Sequence, residues 1–332
     1  MVFSAERVFA LRRLSLWMAL LSLATLVLSA YIRLRAAGLG CADWPACYGQ
    51  GLLSDVAPAL DLVRIAHRAV ATLTLLIGIR LTWCCWRPLP VRPLAGLSAG
   101  VLGVMLLLTV VGIFSADPHR VWASFINMLG GVALVALSWR LFIETTRLAA
   151  MVSGATEESP TGLPTAALLH RLVRAGRVVL IATIALGALI GARYAAVTCS
   201  TVPSCGGLWW PLPEVLAVLN PLTTVTGPML TGDPAGMSLH LLHRGVAVVT
   251  LLLLGAAGLM ALRYDAARST AVVLLILLCV ELMLGSLTVV TGFSLWLAVA
   301  HSVCAALLLA VVTHVKFHLA TKASAVSPAP TL

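Results

Sequence analysis

Arg64-Ile65-Ala66-His67-Arg68-Ala69-Val70-Ala71 opens one long apolar stretch of this chain, and His240-Leu241-Leu242-His243-Arg244-Gly245-Val246-Ala247 opens another. His243 follows His67 by 176 residues, and each of the two is followed directly by arginine. The likeness extends outward from these motifs. Cys41-Ala42-Asp43-Trp44-Pro45-Ala46-Cys47 precedes the first and Cys199-Ser200-Thr201-Val202-Pro203-Ser204-Cys205 precedes the second, each with proline two places before its last cysteine. Trp122 and Trp296 follow them at the starts of later apolar stretches, 174 residues apart. Self-similarity at a fixed offset marks a chain built from two copies of one unit.

Eight apolar segments run approximately over 15–33, 67–86, 94–115, 122–143, 178–196, 240–262, 270–291 and 296–315. Each is long enough to cross a bilayer core of about 30 Å as a helix. Hydrophobic residues make up 61% of the chain, charged residues only 10%, and the mean hydropathy is +1.04. So few charges cannot cover a water-soluble domain of this length, and the short alternating segments of a β-barrel are absent. The reading is an all-α polytopic membrane protein, its eight helices forming two four-helix repeats. An even number of crossings per repeat keeps the same topology, so the repeats should be parallel, related by an axis along the membrane normal. The expected organisation is an N-terminal half over 1–143, a cytoplasmic linker over 144–177, a C-terminal half over 178–318 and a disordered tail over 319–332.

With the N-terminus inside, fifteen of the 22 lysines and arginines fall on one side and seven on the other. That bias predicts both termini in the cytoplasm. The seven outer ones, Arg33, Arg35, Arg64, Arg68, Arg120, Arg193 and Arg244, crowd against helix ends and need an explanation of their own. The net charge of +10 reflects loop asymmetry; no basic stripe or reading motif points to nucleic acid, and membrane lipid is the expected surrounding. Tyr31-Ile32-Arg33-Leu34-Arg35, rather than a small-residue cleavage site, follows the first span, so that span is expected to be retained. No transit-peptide composition precedes it, which favours a bacterial plasma membrane.

An imidazole in or at the edge of a membrane helix marks a functional candidate. His243 and His301 stand near the outer ends of the sixth and eighth spans, an arrangement suited to two axial ligands on one haem iron in a helical bundle. Two hydrogen-bonding histidines between helices are the alternative. Arg244, Arg193 and, in the other half, Arg68 are candidates for pairing with haem propionates, because a guanidinium forks onto carboxylates. Glu281 lies mid-span, where a carboxylate needs a partner, a proton or a part in proton movement. His240 matches Arg64 in register and reads as an interfacial histidine, with contact to His243 or to a propionate as alternatives.

The cysteine pairs fall on the outer side, where an oxidising compartment permits disulfides. Cys41–Cys47 and Cys199–Cys205 are the simplest of three connectivities, with a shared zinc site and a redox role as alternatives. Cys84, Cys85, Cys279 and Cys304 read as small apolar helix residues.

Taken together, these motifs resemble the haem A synthase family, along nearly the whole chain. The resemblance is carried by Gly38-Leu-Gly-Cys-Ala-Asp-Trp-Pro-Ala-Cys-Tyr-Gly49, the two His-Arg motifs, Cys205-Gly-Gly-Leu-Trp-Trp-Pro211 and Thr291-Gly-Phe-Ser-Leu-Trp-Leu-Ala-Val-Ala-His301. It implies oxidation of a haem O methyl to a formyl group, with haem b held by His243 and His301 and a substrate haem held in the N-terminal half, where His67 is the catalytic candidate and iron ligand. It also implies partners among haem O synthase and cytochrome oxidase assembly components. Two positions depart from the family. Asn127 stands where the register expects a second histidine, and Arg64 where the motif carries glutamate. His119, eight residues before Asn127, would replace it only if the fourth span began differently. These departures keep alternatives open: a transmembrane bis-histidine haem b protein, or an oxidase assembly factor without haem A synthesis.

Overall fold

The computed structural model describes residues 4–53, 61–115, 117–154 and 164–324. Among these the chain is helical and no strand forms. Its helices are α1 (Ala5–Ala36), α2 (Gln50–Leu53), α3 (Leu62–Trp86), α4 (Arg92–Phe114), α5 (Val121–Val152), α6 (Pro164–Ala192), α7 (Val215–Leu219), α8 (Pro234–Ala261), α9 (Asp265–Val290) and α10 (Leu295–Ser324). Eight of them, all but α2 and α7, are long and apolar enough to span a membrane. Leucines, valines and isoleucines point outward from them, as with Ile113 and Leu252. Outward-facing apolar side chains on helices of this length suit lipid, not water. The protein is a multi-pass α-helical membrane protein.

Local sequence sets where the helices begin. The Asp61 side chain accepts the Arg64 N–H (2.9 Å) and Asp233 accepts the Gly236 N–H (2.8 Å), each an N-cap, the latter with Pro234 at the first helical position. The helices outrun their apolar cores. α1 and α5 have 32 residues each, about 48 Å at 1.5 Å per residue, well beyond the hydrocarbon. The linker expected from 144 is therefore helix up to Val152 and again from Pro164. Its Glu157–Gly162 stretch lies outside the described residues. α10 likewise continues to Ser324, past the expected start of the tail; residues 325–332 lie outside the described residues.

The spanning helices pack as two rings. In one, α1 contacts α3, α3 contacts α4, α4 contacts α5 and α5 returns to α1; in the other, α6, α8, α9 and α10 follow the same order. α1 and α5 meet α6 and α10 along the seam, where Leu26, Val132 and Ala136 share a buried cluster with Leu180, Leu254 and Leu308. Small polar residues let helices approach closely within a ring. Ser15–Thr145 (2.6 Å) and Ser22–Ser138 (3.1 Å) join α1 to α5. Thr25–Thr74 (3.3 Å) joins α1 to α3, and Thr183–Thr250 (2.9 Å) joins α6 to α8.

Two loops close one end of the rings. The first, between α1 and α3, turns at Gly38, whose φ is +100° and where a Cβ would stand 2.5 Å from the Cys47 carbonyl oxygen, so only glycine fits. The second runs from Arg193 to Asp233 and reaches over the other ring: His119 Nδ1 lies 2.7 Å from the Val225 carbonyl, and Val225 donates its N–H to the His119 carbonyl (3.1 Å).

Candidate functional site

The rings enclose one continuous cavity of about 2300 Å³, shared by both halves and lined by residues of all eight spanning helices. Pockets for single small ligands run to about 1000 Å³, so this one exceeds what a single small ligand needs. His67, Asn127, His243 and His301 all line it. Within each ring the two register-matched positions fall on diagonal helices: His67 on α3 and Asn127 on α5, His243 on α8 and His301 on α10. Side chains so placed face one another across a bundle interior.

In the C-terminal ring both imidazoles are backed. His243 Nδ1 lies 3.0 Å from the Thr183 carbonyl oxygen on α6. Assigning the proton to Nδ1 makes it the donor and leaves Nε2 with its lone pair. His301 Nδ1 lies 3.2 Å from Glu281 Oε1 on α9, close but off the line of a full hydrogen bond. Each ring also packs on a glycine. A Cβ on Gly187 would stand 3.2 Å from His243 Cε1, and one on Gly285 would stand 3.1 Å from His301 Cε1. Glu281, the mid-span anomaly of the sequence, thus has its partner in His301.

The N-terminal ring is less furnished. The His67 imidazole is half-buried and, among the described residues, has no hydrogen-bond partner. α4 lines the cavity with Met105, Leu108, Thr109, Gly112 and Ile113, and so offers no carboxylate where α9 offers Glu281. His119 does not replace Asn127: α5 begins at Val121, and His119 lies before it with Nδ1 held by Val225. Its backbone N–H, bonded to Asp117, holds that carboxyl below its usual range.

The seven outer arginines divide by task. Arg33, Arg64, Arg68 and Arg244 line the cavity. Arg244 Nη1 donates to the Pro203 and Ser204 carbonyls (3.1 Å each), while its Nη2 is buried without a partner. Arg193 does not reach the cavity, contrary to its reading as a propionate contact. It is 5% exposed, and its Nη2 donates to the Asn220 carbonyl and Thr223 hydroxyl (2.6 Å each), clamping the second loop. Arg120 pairs with Asp117 (2.9 Å), and Arg35 lies over the Tyr31 ring. His240 departs from its reading as interfacial: it is buried, with Nε2 3.0 Å from the Ala195 carbonyl. Burial pushes the Tyr48 and Tyr194 phenols up in pKa, so both stay protonated donors.

Cys41 is bonded to Cys47 and Cys199 to Cys205, with Cα separations of 6.6 and 5.3 Å. The other four cysteines are free, and the described residues hold no cluster of three or more metal-ligating side chains of the kind a shared zinc would need. Leu39 and Gly51 of the first loop and Trp209, Trp210 and Pro211 of the second close the cavity at this end. Sequence reasoning did not find Gly187, Gly285 or the Thr183 carbonyl. It counted Arg33 among the outer arginines without giving it a place.

Fold and cavity define a class: polytopic helical membrane proteins with histidines opposed across a shared, arginine-rich interior. Within that class the chain belongs to the cytochrome oxidase assembly protein family COX15-CtaA, whose sequence profile matches residues 120–313. It is similar to the haem A synthase of Shewanella oneidensis, 27% identical over 331 residues, covering 92% of this chain and 96% of that protein. It is also similar to the haem A synthase of Halalkalibacterium halodurans, 26% identical over 302 residues, covering 85% of this chain and 88% of that one.

Proposed function

We propose that this protein is a haem A synthase-like membrane oxidoreductase: it oxidises a ring methyl of haem O to a formyl group and keeps a resident haem b in its C-terminal half. One observation carries the reading. His243 and His301 stand on diagonal helices, each with Nδ1 turned to an oxygen of a neighbouring helix and each seated on a glycine, beside the cavity that His67 shares. A ligating histidine whose other nitrogen meets a carbonyl or carboxylate is the usual arrangement at a metal.

The residues fit a haem. Side chains on Gly187 or Gly285 would push the imidazoles out of place, and Arg244 offers a buried, unpartnered Nη2 to a propionate. When bound, haem b supplies a one-electron redox centre. Thr183 and Glu281 orient its two imidazoles. In the N-terminal ring His67 would hold the substrate haem, Arg64 and Arg68 would pair with its propionates, and Asn127 offers no nitrogen lone pair. The apolar loop residues Trp209 and Trp210 limit water at the mouth.

The same reading takes the rings as parallel copies of one unit over 1–143 and 178–318. Their common helix order supports it, as does the pairing of Thr74 and Thr250, which are separated by the same 176 residues as the two His-Arg motifs. Both termini then face the cytoplasm of a bacterial plasma membrane, and haem O synthase and oxidase assembly components are the partners. Co-expression with a haem O source tests the function. Extracted membranes should contain haem A with this protein and none without it; haem O left unconverted would overturn the synthase reading.

A further inference from the structure

The cavity wall carries four arginines, but among the described residues lining it the one carboxylate is Glu281, which lies against His301. A surplus of guanidinium in an enclosed space needs counter-charge from what enters it. Three of the four arginines neighbour a histidine in sequence: Arg64 and Arg68 flank His67, and Arg244 follows His243. Arg33 does not; it lies in the last turn of α1 with Arg35, which is turned to Tyr31 instead of the cavity.

Its setting is specific. Arg33 reaches across the seam to α6, where Gly191 makes room: a Cβ there would stand 3.0 Å from Arg33 Nη1 and 3.6 Å from the sulfur of Met128, the neighbour of Asn127 on α5. Among the described residues its guanidinium has no hydrogen-bond or ion-pair partner. Tyr48 and Tyr194 pack together at this end of the cavity, their ring centroids 6.2 Å apart. Tyr48 is tied down, its hydroxyl accepting the Ala196 N–H (3.1 Å). Tyr194 lines the cavity from a left-handed backbone position (φ +53°), which is costly for a bulky residue and is found where structure enforces it. Its carbonyl is held by the Met229 N–H (3.1 Å).

We propose that Arg33 seats a carboxylate of the ligand held in the N-terminal ring, a porphyrin with ionised carboxylate side chains. This rests on the reading of that ring as a porphyrin site. Arg33 is a binding and specificity residue: its planar fork grips a carboxylate with two N–H groups, which a lysine would meet only as a point charge.

The test uses the full-length protein with its C-terminal haem in place, titrated with haem b as the free diacid and as the dimethyl ester. The wild type should prefer the diacid by about tenfold or more, the size of one charge-assisted hydrogen bond. Arg33→Leu should lower that preference by about tenfold, its own share beside Arg64 and Arg68, by weakening diacid binding alone, and Arg33→Lys should fall between. The C-terminal low-spin spectrum, unchanged in both variants, reports that the fold is intact. If Arg33→Leu keeps the wild-type preference, or loses affinity for diacid and ester equally, the Arg33 assignment is overturned. If the wild type binds no second porphyrin at all, the N-terminal porphyrin site falls, and this assignment with it.

Discussion

The two rings share one helix order, yet differ at the point where a ligand would be held. In the C-terminal ring His243 and His301 each have an oxygen behind Nδ1 and a glycine beneath the ring. In the N-terminal ring His67 has no such acceptor among the described residues, Asn127 stands in place of a second histidine, and α4 lines the cavity without a carboxylate. A common helix order thus goes with interiors that differ. A backed imidazole pair suits a permanent group, whereas a single unbacked imidazole suits one that comes and goes.

The sharpest way to break this contrast is to remove the imidazoles in turn. His243→Ala or His301→Ala should abolish the low-spin bis-histidine spectrum of the purified protein, while His67→Ala should leave most of it. Loss with His67→Ala and retention with His301→Ala would reverse the assignment of the halves. The next effect is a gain. Asn127→His restores a nitrogen ligand opposite His67, so haem content should rise toward two per chain with a second low-spin signal. Unchanged stoichiometry would make the N-terminal ring a scaffold.

The smallest effect compares two glycines. Gly285→Ala puts a Cβ 3.1 Å from His301 Cε1, so the imidazole must shift. It should lower haem retention several-fold and alter the spectrum. Gly112→Ala on α4 meets nothing within 4 Å and should be silent by both measures. Equal effects from the two substitutions would remove the packing argument for the C-terminal site.

Much of this was legible in the sequence because the signals are coarse and physical. Apolar length located every span. The cysteine pairs and the His243–His301 opposition followed from spacing. What stayed hidden depends on backbone and on absence. Every residue has a carbonyl, so nothing distinguishes Thr183 as the acceptor for His243. A helical glycine does not announce that it faces an imidazole. Arg193 and Arg33 both end a span, and only the path of the second loop decides that one clamps Asn220 while the other faces the cavity. His240 is hidden for the same reason: the carbonyl it meets, Ala195, lies in a turn that sequence does not mark.

The hydrogen bonds between His119 and Val225 have a consequence for how the protein is made. The segment that closes the N-terminal ring on this side belongs to the stretch from Arg193 to Asp233, synthesised only after α6. While α1 to α5 alone have left the ribosome, their part of the interior has no roof. Nor can the chain be cut within 155–163 into two finished bundles, for the first fragment would lack the strap that covers it. The two rings are separate in helix order and one in assembly.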